Sequence, residues 1–290
     1  MREARAERGP SWVSAFLFEP VAVIGLGRIG TSLALALSKE GYRVLASTAH
    51  PERHRDVESS GIEILPSEEA ASRGSVVVIA VKPKQIMDLA DEIRERVRGK
   101  LVISLAASLT TEFLEKLMPG ARIVRAMPNL ALIVGESITA LSPGRSAREP
   151  DIEVAKGIFS SVGECVVVEE ELMDAVTGLS GSGPAYVFMM VEALADAGVR
   201  VGLARDLAIR MAAKTLLGAS KMVLTGKHPA ELRDMVLTPG GVTIAGLHEL
   251  ERRGFRAALM NAVLAAVRRA EELRNELPLS LMREVRWRIH

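Results

Sequence analysis

Residues 238–243 combine two hydroxyl side chains with a turn and the start of a helix; they are Thr238, Pro239, Gly240, Gly241, Val242 and Thr243. Pro239 should end the preceding helix, because it disfavours helical angles at the residue before it and has no N–H. A new helix should open near Val242, and its first N–H groups could hold a carboxylate or phosphate. Thr243 adds a hydroxyl that can both donate and accept. An ordinary helix–helix turn has the same spacing, so both interpretations stay open.

A second candidate site is the glycine-rich stretch 25–30, whose residues are Gly25, Leu26, Gly27, Arg28, Ile29 and Gly30. It follows the apolar run 21–24 and precedes an apolar-periodic stretch at 31–40. A lone GxGxxG is weak, but the strand before it and the helix after it are what a dinucleotide site requires. The first glycine makes the turn, the second lets the backbone approach the pyrophosphate, and the third lets helix pack on strand. All six residues are therefore predicted to bind the cofactor.

The residues after the second predicted strand, 42–46, favour a phosphorylated cofactor. An NAD site usually has an acid here to bind the ribose 2′-hydroxyl, whereas this chain has Ser47 and Thr48 and no acid before Glu52. Arg53 and Arg55 follow and suit a 2′-phosphate. NADPH is the predicted cofactor, with NADH as the alternative. His50 and His54 have no third ligand nearby, so no metal site is predicted.

Further strands at 62–65, 76–80, 101–104, 122–126, 137–141 and 164–168 alternate with helical patterns. Ser67 is expected to cap the helix over 67–72. The alternation predicts an α/β fold with a doubly wound, Rossmann-type parallel sheet. Ligands of such sheets bind beyond the carboxyl ends of the strands. The residues expected along this edge are Lys82, Pro83, Ala106, Ala107, Pro128 and Asn129, and Ala80 and Val81 come just before Lys82.

The second half is predicted to be all-helical, with patterns at 187–197, 206–225, 228–232 and 247–273. The Gly-rich stretch 178–183 is not a nucleophile elbow, because Ser182 stands where that motif has Gly and no strand precedes it. The last pattern is apolar over more than one face. Leu259 and Val263 lie beside Met260 and Leu264. Such a helix is expected to be buried, in a partner subunit as well as in its own.

Length and composition bound the class of protein. A chain of 290 residues suggests two domains. A net charge of +1 gives no general attraction to nucleic acid, and no apolar run is long enough to span a membrane. The single cysteine, Cys165, is expected to be a buried thiol in a cytoplasmic protein. The predicted division is an N-terminal extension at 1–19, a dinucleotide-binding domain at 20–169, a helical domain at 170–274 and a tail at 275–290.

Over roughly residues 20–274 the chain resembles pyrroline-5-carboxylate reductases. The family's Ser-Gly-Ser-Gly-Pro-Ala-Tyr stands at 180–186, its Glu-Ala-Leu-Ala-Asp-Ala-Gly at 192–198, and its His-Pro at 228–229. Its Ser-Pro-Gly-Gly-x-Thr appears at 238–243 with Thr238 in place of Ser, and its Ala-Val-Lys-Pro at 80–83. This combination is far more specific than the glycine-rich turn alone.

The resemblance implies an oxidoreductase of proline biosynthesis. It would reduce the imine of Δ1-pyrroline-5-carboxylate to L-proline with hydride from NADPH or NADH. Thr243 would be the catalytic residue, as hydrogen-bond partner of the ring nitrogen. The residues that would bind the substrate are Thr238, Gly240, Gly241, Val242 and Asn129. The all-helical domain would form a homodimer, with rings of such dimers up to a decamer.

Three alternative functions are considered. Thr238 for Ser, Ser67 for a frequent cofactor-contacting Asn, and Lys214 for Gln depart from the family pattern. These departures leave room for a reductase of a different cyclic imine acid, or for a non-catalytic paralogue that binds NADP. A β-hydroxyacid dehydrogenase would share the layout, but stretch 180–186 lacks the catalytic lysine which that class requires.

Overall fold

The computed structural model describes residues 19–288, and side chains as far as residue 276. Of the predicted extension at 1–19, only Glu19 lies within the described residues. The chain divides into two compact units. The first contains the described residues up to Gly181 and those from Ala266 onward, and the second is Ser182–Ala265.

The first unit is built on one eight-stranded sheet in the order β3-β2-β1-β4-β5-β6-β7-β8. Its strands are β1 Val21–Ile24, β2 Val44–Ser47, β3 Glu63–Ile64, β4 Val76–Ile79, β5 Leu101–Ser104, β6 Arg122–Met127, β7 Ser137–Pro143 and β8 Gly163–Val167. β1 to β6 pair in parallel, as the alternating pattern predicts.

The predicted doubly wound parallel sheet is confirmed, with one antiparallel pairing at β7. This strand pairs antiparallel with β6 and in parallel with β8. Parallel neighbours need a crossover of about a dozen residues or more, usually a helix. Only residues 128–136, with the short 3-10 helix Leu130–Val134, separate β6 from β7, so the chain turns back on itself there.

Helices cover both faces of this sheet. They are α1 Arg28–Lys39, α2 Arg55–Ser59, α3 Ser67–Arg73, α4 Ile86–Ile93, α5 Thr111–Leu117 and α6 Glu149–Phe159. In β1, Val21 and Val23 join one apolar core while Ala22 and Ile24 join the other. Each is at most 2% exposed. Full burial of a Val or Ile side chain stabilises by about 1.5–3 kcal/mol, so the strand that carries the glycine-rich turn is firmly held.

The remaining helices follow β8. They are α7 Met173–Val176, α8 Gly183–Arg200, α9 Arg205–Val223, α10 Pro229–Asp234, α11 Val242–Arg252 and α12 Phe255–Arg288. The single helical pattern predicted over 247–273 is in fact divided between α11 and α12. Gly254 lies at the break with a φ of 70°, a left-handed conformation that a helix interior does not accommodate.

The chain passes from the first unit to the second at Gly181–Ser182 and back at Ala265–Ala266, whereas the sequence placed the domain boundaries at 169/170 and 274/275. The short helix α7 therefore belongs to the first unit. The predicted tail at 275–290 begins inside α12, which continues to Arg288.

The second unit has little core of its own. Its buried apolar side chains are the small residues Ala195, Ala208 and Ala212 together with Leu232. Many of its large apolar side chains are exposed, among them Phe188, Met189, Met211, Leu224, Met235, Val236, Met260 and Leu264. An apolar surface of this extent is typical of a protein–protein interface. Among the helices described, none is long and apolar enough to cross a membrane.

Candidate active site

The glycine-rich turn joins the carboxyl end of β1 to α1, and two of its glycines are sterically required. Gly25 has a φ of 103°, and a Cβ on it would lie 2.8 Å from the carbonyl carbon of Ala80. Its N–H donates to the Ser47 carbonyl oxygen at 2.8 Å. A Cβ on Gly30 would overlap the Gly25 carbonyl oxygen. Both glycines therefore allow the tight turn and the close packing of α1 on the sheet.

Gly27 is different, because the space beside it is open. No other atom lies within 4 Å of the place a Cβ would take, and the residue has ordinary extended angles, with a φ of −76°. It is the N-cap of α1, which begins at Arg28 and has no side-chain cap. The first N–H groups of α1 are thus free to bind an anion that approaches over Gly27.

Ser47 and Ser67 meet at the end of β2. Their hydroxyl oxygens lie 3.0 Å apart, and Ser47 is 3% exposed. The prediction that Ser67 caps its helix is wrong: Ser67 is the first helical residue, Pro66 is the N-cap, and no side-chain cap is made. Its hydroxyl turns to Ser47 instead. The pair places two hydroxyls beside the glycine-rich turn, where the sequence predicts recognition of the ribose end of the cofactor.

The basic side chains of His50 and Arg53, which follow Ser47 in the sequence, are exposed and share one acid. Glu52 Oε1 lies 3.5 Å from His50 Nδ1 and 3.8 Å from Arg53 Nε. The Thr48 hydroxyl accepts from the His50 N–H at 3.2 Å. Among the side chains described, those of residues 19–276, no cluster of three or more His, Cys, Asp or Glu is placed to hold a metal ion.

The other predicted cofactor residues lie at the same edge of the sheet. The Ala80 N–H donates to the Ile24 carbonyl at 2.7 Å, which holds segment 80–83 against the glycine-rich turn. Ala106 follows β5, is 1% exposed, and donates its N–H to Ser104 Oγ at 3.3 Å. Ala107 packs on a small apolar cluster that contains Met127 and Met173.

Asn129 follows β6 and caps the short 3-10 helix behind it. Its Oδ1 accepts from the Ala131 N–H at 3.0 Å, and its own N–H donates to Ser137 Oγ at 3.2 Å. These hydrogen bonds with Ala131 and Ser137 hold Asn129 at the edge of the sheet.

In the second unit, residues 238–241 form a tight turn. The Gly241 N–H donates to the Thr238 carbonyl at 3.0 Å, and Gly240 has a φ of 69°. Pro at the second position and a left-handed Gly at the third are the marks of a type II turn. Gly241 is the N-cap of α11, and Thr243 lies in the first turn of that helix, as the sequence predicts.

This geometry changes one detail of the predicted carboxylate site. The Gly241 amide already donates to the Thr238 carbonyl within the turn. The amides that could bind a carboxylate are therefore those of Gly240, Val242 and Thr243. A Cβ on Gly241 would overlap Thr238 Oγ1. The Thr238 hydroxyl therefore lies directly over the turn, beside those amides.

A groove of about 570 Å³ adjoins the turn. Gly240 and Gly241 contribute to it with one face of α11, including Ile244, Leu247 and His248. Thr243 does not line this groove. We therefore assign the groove to the exposed apolar surface of the second unit rather than to the reacting centre.

The structure brings the predicted residues together in two groups. The cofactor residues and Asn129 lie along one sheet edge of the first unit, and residues 238–243 form one helix start in the second.

The sequence analysis missed two structural features. A π-helix at Thr177–Gly181 precedes the unit boundary, in which the Ser180 hydroxyl donates to the Val176 carbonyl at 3.1 Å. A buried charge cluster lies around Arg125, which the charged residue inside an apolar strand could have indicated.

Two family models match the chain. Residues 170–273 match the pyrroline-5-carboxylate reductase dimerisation model, and residues 20–108 match a model described as NADP oxidoreductase, coenzyme F420-dependent. These matches fall on the helical region and on the part of the sheet that carries the glycine-rich turn.

Relatives and solved structures agree with these models. The chain is 42% identical over 257 residues to a pyrroline-5-carboxylate reductase from Pisum sativum, covering 86% of this chain and 94% of that protein. A Plasmodium falciparum pyrroline carboxylate reductase with NADP bound matches with a TM-score of 0.81 and 29% identity, over 89% of this chain and 99% of that one. A pyrroline-5-carboxylate reductase from Coxiella burnetii matches with a TM-score of 0.82 and 32% identity, over 89% and 98%.

Proposed function

The chain belongs to the pyrroline-5-carboxylate reductase family, and we propose that it reduces the C=N bond of Δ1-pyrroline-5-carboxylate to give L-proline, with NADPH as the preferred reductant. The observation that supports this function most directly is that pyrroline-5-carboxylate reductases match the chain over both of its units. A chain that shared only the dinucleotide-binding sheet would match many dehydrogenases without sharing their substrate.

The first unit fits NADPH. The open space at Gly27 and the uncapped start of α1 suit a pyrophosphate. The space beside Gly25 and Gly30, in contrast, is already filled by protein atoms. The Ser47–Ser67 hydroxyl pair, with Arg53 nearby in sequence and no acid at the end of β2, suits a phosphorylated ribose. When bound, NADPH supplies the hydride.

The turn at 238–241 is suited to the substrate's carboxylate. The free amides of Gly240, Val242 and Thr243 point from the positive end of the α11 dipole, which favours an anion. The Thr238 hydroxyl lies beside them and can donate one more hydrogen bond. Holding the carboxylate fixes the ring relative to α11, and orientation of this kind lowers the entropic part of the barrier.

Thr243 is proposed as the catalytic residue because its amide is one of these three, which places its hydroxyl in the same first turn of α11. It would bind the ring nitrogen of the imine. Protonation of that nitrogen makes the adjacent carbon more electrophilic, and a hydrogen-bonded nitrogen is held in the orientation that hydride transfer needs. Bound NADPH would supply hydride to the ring carbon of the C=N bond, and the nitrogen would keep its proton, which would give the amine of proline.

We further propose that the helical region forms a homodimer, with a decamer as the larger assembly. The exposed apolar side chains of the second unit support a dimer, because they would be costly to leave in water. A single cysteine in 290 residues supports a cytoplasmic location. Light scattering on the purified protein would measure the assembly, and a monomer at micromolar concentration would refute the dimer.

The test of function compares two imines and two cofactors. Oxidation of NADPH and of NADH is followed at 340 nm with Δ1-pyrroline-5-carboxylate and with the corresponding six-membered cyclic imine acid. We expect faster turnover with the five-membered ring and a lower KM for NADPH. Faster turnover of the six-membered ring would identify a different imine reductase. NADPH binding without turnover of either imine would identify a non-catalytic paralogue.

A further inference from the structure

A cluster of four charged side chains lies beneath the cofactor edge of the first unit. It contains Arg125 on β6, Glu170 in the 3-10 helix Glu170–Leu172, Asp174 on α7 and Arg274 on α12. Arg125 is 1% exposed and Asp174 is 3% exposed. Two arginines and two acids balance in charge. Among the described residues, Arg125 Nε and Nη2 and both carboxylate oxygens of Asp174 have no hydrogen-bond partner, so part of the desolvation cost of burying these charges stays uncompensated.

Glu170 connects this cluster to the loop that carries Ala106 and Ala107. Its Oε1 accepts from the Thr111 N–H at 2.7 Å, and its Oε2 accepts from the Thr111 hydroxyl at 2.6 Å. Thr111 is the first residue of α5, so the carboxylate satisfies a free amide at the positive end of that helix. Loop 105–110 ends at this contact.

Arg125 holds the Glu170 carboxylate from the other side, with Nη1 3.4 Å from Oε1. Burial lowers the pKa of the Arg125 guanidinium, and the nearby Glu170 carboxylate opposes that shift. A guanidinium stays protonated in proteins. Glu170 is therefore held between a permanent positive charge and the start of α5.

Asp174 anchors the segment that carries Glu170. Its Oδ2 lies 3.0 Å from Arg274 Nη1 on α12, an ion pair without the angles of a hydrogen bond. Asp174 and Glu170 are four residues apart, about one helical turn. The ion pair between Asp174 and Arg274 thus connects α12 to segment 170–174, the segment whose Glu170 contacts the end of loop 105–110.

The loop between these contacts is strained. Ser108 has a φ of 64° and is the one non-glycine residue with a left-handed φ among residues 19–288. Such a conformation persists only where the surroundings enforce it. At its other end, the loop is held by the Leu105 N–H, which donates to the Ile79 carbonyl at 2.9 Å. At the α5 end, Thr110 Oγ1 accepts from the Phe113 N–H at 3.2 Å, and Glu170 adds the two hydrogen bonds from Thr111.

We propose that Glu170, supported by Arg125, is a positioning residue that holds loop 105–110 in the shape required for cofactor binding. Glu170 does not itself need to touch NADPH. The proposal rests on the proposed cofactor function of Ala106 and Ala107. It concerns a contact between residues 59 positions apart in the chain.

The test compares Glu170→Gln and Thr111→Val with a control, Glu112→Gln. Glu170→Gln removes the charge while keeping the side-chain length, and Thr111→Val removes only the hydroxyl that Oε2 binds. Glu112 stands next to Thr111 on α5 and pairs with Lys116 on the exposed face at 2.7 Å. The Kd for NADPH is measured by fluorescence titration, kcat at saturating substrates, and Tm for each protein.

We expect Glu170→Gln to raise the Kd for NADPH about 3- to 30-fold, the range in which residues outside a ligand's contacts alter binding. The kcat should stay within about twofold, and Glu112→Gln should bind NADPH as the wild type does. Thr111→Val should show a smaller rise in Kd. The effects of the double variant should be less than multiplicative, because both changes break the same contact.

An unchanged Kd in folded Glu170→Gln and Thr111→Val, whatever their Tm, would overturn the proposal and leave the cluster a purely structural role. If Glu170→Gln does not fold, Thr111→Val decides between a raised and an unchanged Kd. Because the titration contains no imine, its result is separate from the test of the reductase activity.

Discussion

Substitution of Gly27 by Ala separates cofactor binding from folding more cleanly than any other change in the glycine-rich turn. The φ of −76° at Gly27 is open to alanine, and no atom lies within 4 Å of the new Cβ. The expected cost to folding is limited to replacing an N-cap glycine with alanine, about 0.5–1 kcal/mol. In a protein of this size, that lowers Tm by about 1–4 °C.

The expected effect on NADPH is much larger. The Cβ would project into the space through which a pyrophosphate reaches the amides at the start of α1. Loss of one hydrogen bond to a charged group costs about 1.5–3 kcal/mol. This corresponds to a Kd for NADPH raised by about 10- to 150-fold.

The assay is a fluorescence titration with NADPH beside a thermal unfolding curve, with Gly157→Ala as the matched control. Gly157 lies within α6, where a Cβ would only reach ordinary contact with the Tyr42 hydroxyl at 3.7 Å, so this variant should bind NADPH normally. Gly30→Ala, whose Cβ overlaps a backbone oxygen, should instead fail to reach the wild-type fold. Wild-type NADPH affinity in a folded Gly27→Ala protein would refute the assignment of the open space to the pyrophosphate.

Three further predictions concern the side chains of Thr243, Ser47 and Cys165. Thr243→Ala should lower kcat about 10- to 1,000-fold, the scale of losing one transition-state hydrogen bond, while Thr243→Ser should keep most activity; equal rates for Ala and wild type would remove Thr243 from the mechanism. Ser47→Asp should raise the KM for NADPH far more than that for NADH, through repulsion of the 2′-phosphate, and equal changes would contradict the predicted site. Cys165 is half-buried rather than fully buried as the sequence suggests, and this burial raises the pKa of its thiol. The thiol should therefore react with a disulfide reagent at pH 8 several-fold more slowly than glutathione; a reaction as fast as that of glutathione would contradict the raised pKa.

Much of the first unit could be predicted because its information is local. A strand such as Val21–Ile24 is apolar at every position, and the glycine spacing that follows specifies a turn. The different roles of Gly25, Gly27 and Gly30 follow from the motif alone, and the structure shows a physical basis for each.

The direction of β7 could not be predicted from its apolar pattern, since a parallel and an antiparallel strand have the same composition at the centre of a sheet. What decides the direction is the short connection at 128–136. Its length is visible in the sequence, and the length that a parallel crossover requires would have corrected the prediction.

The Glu170–Thr111 contact lay beyond sequence reasoning for a different reason. It joins residues 59 positions apart, and neither residue stands in a motif. Arg125 offered a local indication, because a charged side chain inside the buried run 122–127 requires a partner. The identity of that partner depends on how the segment after β8 returns to the sheet, which only the fold determines.

The most direct test of the reductase assignment is a single-turnover experiment with NADPH that carries deuterium at both C4 positions. Equimolar protein, labelled NADPH and Δ1-pyrroline-5-carboxylate are mixed, and the product is analysed by mass spectrometry. The assignment predicts L-proline with one deuterium, on the ring carbon that belonged to the C=N bond. Proline without deuterium, or labelled NADPH that stays bound and unoxidised, would contradict it.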